Sequence, residues 1–251
     1  MGIVVECERS VAVDSLDYTH PRGARHDNST NRRFNKKLSA LYGGRKLSVL
    51  DIGCSGGAFV KSLIDDGNTA VGLEGSDYSR RTKRAAWALI PDNLFTCDVT
   101  CRFDILESER RERICFDVVT AWEVMEHIRE SELPALIDNV KRHMLDDSLW
   151  IMSIATYSSM SGGVQLHVLR KPKEWWITRL EESGLHHSED HVRYFNTLWV
   201  RGYAETRKDF HLAVCKDLSK APRPPKEALH SRLFDRFNNH AYRVVAERFL
   251  H

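Results

Sequence analysis

Glu123, Glu126 and His127 are spaced at i, i+3 and i+4. On a helix or helical turn that spacing projects all three side chains to one side. Two carboxylates and an imidazole held together repel and desolvate one another unless a cation or hydrogen-bonding partners compensate. A divalent metal with oxygen and imidazole ligands would do so. His167, in the run Gln165-Leu166-His167-Val168-Leu169-Arg170, supplies a fourth ligand from a loop further along the chain. The chemistry of such a set is activation of a hydroxyl, since a metal lowers the pKa of a bound hydroxyl and fixes its oxygen. Without a metal, His167 or His127 is the general base, because a neutral imidazole accepts a proton near neutral pH. Glu123 stands with them as a catalytic candidate at the strand tip. The structural alternative is that Glu126 and His127 merely tie a strand to a helix.

A second group of residues indicates what reacts with that hydroxyl. Leu47-Ser48-Val49-Leu50-Asp51 reads as a short apolar strand ending in an acid, and Gly53-Cys54-Ser55-Gly56-Gly57 as a turn that opens a helix. The glycines let backbone approach a ligand, and the helix offers unpaired N–H groups at its first turn. The G-x-G-x-x-G pattern of a dinucleotide site is absent, and the charge of Asp51 would repel a pyrophosphate. It suits a cofactor that carries an ammonium and a sulfonium. The loop resembles motif I of the class I S-adenosylmethionine-dependent methyltransferases, whose acid-x-Gly-x-Gly-x-Gly pattern falls on Asp51, Gly53, Ser55 and Gly57. Ser55 departs from it as a small residue at a glycine position.

The resemblance extends along the chain. Glu74, at the end of Val71-Gly72-Leu73-Glu74, matches the carboxylate that binds the ribose hydroxyls in that family. Asp98, followed by Val99, matches the aspartate that accepts a hydrogen bond from the adenine amino group. Phe116 to Ala121 reads as the next strand and leads through Trp122 to Glu123, where the family places its substrate-facing residues. Cofactor contacts are therefore expected from Asp51, Gly53, Cys54, Ser55, Gly57, Glu74, Asp98, Val99 and Trp122. The E-x-x-E-H segment with a distant histidine is similar to the metal site of small-RNA 2′-O-methyltransferases, which implies Glu123, Glu126, His127 and His167 as ligands to Mg2+ or Mn2+.

The elements that must position these groups alternate. Strands are expected at 47–51, 70–74, 94–97, 116–121 and 149–155, with helices at 57–66, 79–90, from Pro134 to Met144 and from Pro172 to Leu180. Residues 193–195 with 211–215 are expected to form the antiparallel end. The fold class is α/β: a doubly wound, mostly parallel seven-stranded sheet with helices on both faces and an antiparallel last strand. Residues 1–44 read as a cap, irregular over 1–30 and helical from Arg32 to Tyr42. The methyltransferase domain spans 45–215, and 216–251 are a linker and an amphipathic helix that packs on the domain, covers the substrate or makes a homodimer contact.

The chain has 251 residues, a net charge of +2 and six cysteines without paired spacing. One core, a cytoplasmic location with free thiols and no membrane span follow as expectations. So small a charge excess gives no footprint for long duplex nucleic acid. The expected activity is methyl transfer from S-adenosylmethionine, leaving S-adenosylhomocysteine, to a hydroxyl of a sugar or other small polyol, with a small molecule or glycan as acceptor. The alternatives are 2′-O-methylation of an RNA end along Arg22, Arg25, Arg32, Arg33, Lys36 and Lys37, or a cofactor-binding pseudoenzyme.

Overall fold

The computed structural model describes residues 2–202 and 209–226. From the N-terminus, β1 (Ile3–Cys7), α1 (Leu16–Thr19), α2 (Arg22–His26) and α3 (Arg32–Leu41) precede the alternating part. That part comprises β2 (Ser48–Ile52), α4 (Ala58–Asp65), β3 (Thr69–Glu74), α5 (Tyr78–Arg81), β4 (Leu94–Thr96), β5 (Phe103–Glu107) and β6 (Phe116–Trp122). It continues through α6 (Leu133–Arg142), β7 (Met144–Ala155), the hairpin β8 (Met160–Ser161) and β9 (Val164–Gln165), α7 (Lys173–Glu182), β10 (His186–His187), α8 (Glu189–Phe195) and β11 (Asp209–Cys215).

Seven of these strands form one sheet in the order β10-β11-β7-β6-β2-β3-β4. The pairs from β7 to β4 are parallel, and β11 runs antiparallel to both its neighbours. Alternation along the strands explains the two faces. Val49 joins a cluster under α3, α4 and α8, while Leu50 joins one under α6 and α7. Ile52 aligns with Leu73 and with Ala121, and Glu74 with Thr96, so the turns after β2, β3, β4 and β6 all leave one edge of the sheet. That edge, at the carboxyl ends of parallel strands, is where such sheets bind ligands.

Three expectations need correction. Residues 1–30 are not irregular: β1 pairs with β5, and α1 and α2 follow it. The pairing joins segments far apart in the chain, which local pattern does not reveal. The helix expected over 79–90 ends at Arg81, because Lys83 and Ala85 take φ of 49° and 50°, a left-handed conformation that no helix continues through. Residues 193–195 belong to α8 rather than to a strand, since His191, Tyr194 and Phe195 turn inward at helical spacing; β10 is the strand that pairs with β11. The cap packs directly into the core. Phe34 of α3 is wholly buried, stacks on Phe195 at 4.8 Å and meets Trp122 edge-on at 5.2 Å.

The C-terminal helix expected from the apolar spacing of residues 233–249 lies outside the described residues. Among the described residues no helix is long and apolar enough to cross a membrane, and all six cysteines are free.

Candidate functional site

A cavity of about 450 Å³ opens along the carboxyl edge of the sheet. It is lined by Gly53, Ser55, Glu74, Asp98 and Val99, from the ends of β2, β3 and β4 and the turns after them, and by Trp122, Glu123, His127, Tyr157, His167 and Arg201. Its size falls within the range of roughly 300–1,000 Å³ typical of small-molecule sites.

The glycine-dense turn owes its shape to positive φ at Gly53 (73°) and Gly57 (78°), and to Ser55 at 49°. A serine in that conformation is strained relative to glycine, and its hydrogen bonds supply the compensation. Its N–H donates to Glu74 at 2.7 Å, and its Oγ lies 2.8 Å from the carbonyls of both Gly23 and Asp27. Ser55 thereby fastens the α2 segment over the loop. Asn28 Oδ1 accepts from Ala58 N–H at the start of α4, and Asn31 caps α3, so the amides of this segment bind the cap to the domain.

Glu74 accepts from Ser55 N–H and, at 3.1 Å, from Ser76 N–H. A carboxylate has about four acceptor positions, so lone pairs remain for ribose hydroxyls. Burial raises its pKa, and these amides oppose the shift. Asp98 accepts from Thr100 Oγ1 at 2.6 Å and lies 3.4 Å from the Arg9 guanidinium, which comes from the N-terminal segment. Asp51, Cys54 and Gly57 do not line the cavity. The Asp51 carboxyl is buried beneath the loop, where burial pushes it up to about 8 against a 2.7 Å hydrogen bond from the Thr120 hydroxyl. Trp122 Nε1 is buried and has no hydrogen-bond partner. The acceptors present, carboxylates at two strand tips beside an open glycine turn, fit an adenosine-bearing ligand.

Glu123 does not share a face with Glu126 and His127. It takes φ of 54°, and the helical turn begins only at Met125, so the i, i+3 relation is broken. Its carboxylate instead meets Arg201 Nε at 2.6 Å, and Arg201 also reaches Asp27 at 3.3 Å. The remaining trio, Glu126, His127 and His167, does converge: one ligand atom from each lies within 4.8 Å of the others.

Glu126 organises this trio. Its carbonyl accepts from Leu169 N–H at 2.9 Å, and its Oε1 accepts from Ala155 N–H at 3.1 Å, so it ties the loop bearing His167 to the end of β7. Its Oε2 is buried without a partner, and burial pushes the carboxyl up to about 7. The His127 and His167 rings meet edge to face at 4.7 Å. His167 Nδ1 lies 2.8 Å from the Tyr157 carbonyl, which can only accept, so Nδ1 carries the proton and Nε2 the lone pair. Burial pushes His167 down to about 4. His127 Nδ1 lies 2.6 Å from Asp17 Oδ2, an acid of α1, at an angle oblique to the ring N–H direction. Burial alone would lower the His127 pKa, and Asp17 turns the net shift upward.

Sequence reasoning missed Asp17, Asp27 and Arg201. Asp27 opens the run Asp27-Asn28-Ser29-Thr30-Asn31-Arg32-Arg33, whose density of amides and guanidinium groups is a signal that could have found it; nothing local points towards the other two.

His211 supports this region from β11. It stacks on Trp199 at 4.1 Å, its Nε2–H donates to the Arg201 carbonyl at 3.0 Å, and burial pushes its pKa down to about 3. A folded-state pKa below the ordinary 6.5 means that the unfolded chain takes up the proton first as pH falls. Stability contributed by this neutral histidine is complete above pH about 6.5 and is lost as pH falls towards 3. The loss approaches about 1.4 kcal/mol per pH unit over that window. Urea unfolding between pH 7 and 4 is expected to show a steeper decline in the native protein than in His211→Gln; equal slopes would assign the acid sensitivity elsewhere.

A family model described as a methyltransferase domain matches residues 24–201. The match begins within α2 and ends at Arg201. No curated protein matches the chain. Among solved structures, the PH0226 protein from Pyrococcus horikoshii OT3 is similar at 15% identity, with 83% of this chain and 95% of that chain covered and a TM-score of 0.52. The Burkholderia thailandensis 1,6-didemethyltoxoflavin-N1-methyltransferase, bound to 1,6-didemethyltoxoflavin and S-adenosylhomocysteine, is similar at 14% identity, with 80% and 84% covered and a TM-score of 0.51. The magnesium protoporphyrin IX methyltransferase from Synechocystis PCC 6803, also with bound S-adenosylhomocysteine, is similar at 16% identity, with 81% and 95% covered and a TM-score of 0.50. At these identities the likeness is one of fold.

Proposed function

The chain belongs to the methyltransferase-domain family, and from that membership we propose that it transfers a methyl group from S-adenosylmethionine to a hydroxyl oxygen of a sugar or other small polyol. The observation that carries the choice of oxygen is the pair of imidazoles, His127 and His167, on one wall of the cavity that also holds Glu74 and Asp98. When bound, S-adenosylmethionine supplies a methyl group on a sulfonium, open to in-line displacement by an acceptor oxygen.

The residues of the chain bind, orient and take the proton. Glu74 holds the ribose hydroxyls with its remaining lone pairs, and Asp98 accepts from the adenine amino group. His127 is the better proton acceptor, because the Asp17 carboxylate stabilises its charged form. His167 stays neutral, with Nε2 available to accept a hydrogen bond from a neighbouring hydroxyl. Two acceptors side by side suit a vicinal diol.

Glu126, His127 and His167 also suit a divalent cation such as Mg2+ or Mn2+, since the unpartnered Glu126 Oε2 is the kind of atom a cation would satisfy. Bound there, a cation would lower the pKa of the acceptor hydroxyl. Glu123 is not a member of that set while Arg201 holds it.

RNA is the weaker reading of the acceptor. Lys37 is buried with Nζ donating to the Tyr194 carbonyl, Arg32 pairs with Asp66 and Arg25 lies over Tyr78, so three of the six basic residues of the expected track are engaged within the fold. A cytoplasmic location and a small-molecule or glycan acceptor complete the proposal.

The test is transfer of labelled methyl groups to a panel of sugars, phenols and primary amines, with and without a chelator. Label in the polyols is expected. Label confined to amines would overturn the oxygen reading, and turnover unaffected by exhaustive chelation would leave His127 to act without a metal.

A further inference from the structure

Arg201 is a half-buried guanidinium in a cavity wall, and it bridges two carboxylates from separate elements: Glu123 after β6 at 2.6 Å, and Asp27 after α2 at 3.3 Å. Drawing three charged groups even partly out of water is costly, and a stabilising clamp would be served as well by apolar contacts. These three line an open cavity instead. Their backbone is firmly held: the Arg201 carbonyl accepts from His211, and the Asp27 carbonyl accepts from Arg84 at 2.8 Å and lies against Ser55 Oγ. The side chains are thus anchored at the root and directed at one another across the cavity, beside Gly53 and Ser55.

Together Asp27, Glu123 and Arg201 carry one net negative charge. The methionine end of the proposed methyl donor carries an ammonium, a carboxylate and a sulfonium, hence one net positive charge. The two sets are complementary, and a guanidinium matches a carboxylate by two parallel hydrogen bonds.

We propose that Arg201 and Asp27 form the subsite for the amino-acid end of the methyl donor, Arg201 binding its carboxylate and Asp27 its ammonium, and that Arg201 leaves Glu123 when it does so. The inference rests on the methyltransferase reading and adds a consequence to it. Glu123 is released towards the acceptor only once the donor is bound, so the donor binds first.

Two probes separate the amino-acid end from the rest of the ligand: S-adenosylhomocysteine, which has it, and 5′-methylthioadenosine, which lacks it. Both are titrated calorimetrically into the full chain. In the native protein S-adenosylhomocysteine is expected to bind more tightly. Arg201→Met is expected to weaken S-adenosylhomocysteine by roughly 10- to 100-fold, the scale of a lost hydrogen bond to a charged group, and to leave 5′-methylthioadenosine unchanged. Arg201→Lys should recover part of the loss, and Asp27→Asn should act on the same probe alone. If Arg201→Met weakens both probes equally, or neither, the subsite is overturned and Arg201 is a structural clamp. Should Arg201→Met not fold, Asp27→Asn decides by the same comparison. Failure of the native protein to bind either probe would overturn the donor reading itself, and the subsite with it.

Discussion

Replacement of His127 by alanine is expected to lower turnover by about 10²–10⁴-fold, the usual contribution of a positioned general base, while the affinity for S-adenosylhomocysteine stays within about twofold. The split follows from geometry. His127 lines the cavity beside His167, and its Nδ1 lies against Asp17, so its other nitrogen is the one that can face a hydroxyl. Glu74 and Asp98, which are expected to hold the nucleoside, lie at the end of β3 and just after β4, whereas His127 follows β6. The measurement is initial rate against acceptor concentration, with whichever polyol the panel identifies, beside a calorimetric titration of the cofactor product. His167→Ala is expected to lose less, because burial holds that ring neutral and leaves it a weak base. Turnover intact in His127→Ala would transfer the role of base away from this residue, and a parallel loss of cofactor affinity would make its role structural.

Glu74→Ala is expected to weaken S-adenosylmethionine by about 10²-fold or more. Two effects add: loss of hydrogen bonds from the ribose hydroxyls to a charged acceptor, each worth roughly 1.5–3 kcal/mol, and release of the turn that the carboxylate organises. Ser55 holds a left-handed φ of 49°, and the N–H of that residue donates to Glu74 at 2.7 Å. Without the acceptor, a strained serine loses a compensating bond in the loop expected to face the cofactor. Glu74→Gln should be nearly as damaging. One carboxylate oxygen would become an NH₂ facing either the Ser55 or the Ser76 N–H, donor against donor. Calorimetry checks the affinity and thermal unfolding checks the fold; unchanged affinity in Glu74→Ala would remove this residue from the cofactor site.

Much of the architecture was legible because it is written locally. Val49 and Leu50 belong to opposite core clusters because a strand repeats every two residues, so apolar runs bounded by acids and glycines are readable as strands of a covered sheet. The carboxylates Glu74 and Asp98 were legible for a related reason. Each follows a parallel strand, and the register of β2, β3 and β4 brings those strand ends to one edge. Where local pattern misled, a single backbone conformation was responsible. Left-handed φ at Lys83 and Ala85 cut the expected helix short, and the same region of φ at Glu123 turned one carboxylate out of the predicted ligand set.

By itself the sequence determined the class of fold and the family to which the chain belongs, and it singled out Glu74, Asp98, Glu123, His127 and His167, which line the cavity, because glycine turns, strand periods and residue types act within a few positions of one another. Only the tertiary structure decided which of those groups work together. Asp17 reaches His127, Arg201 reaches Glu123 and Asp27, and the Tyr157 carbonyl sets the tautomer of His167. Ion pairs and hydrogen bonds act through space over about 3 Å, and no spacing in the chain records which distant segments the packing of a sheet and its cap will bring that close.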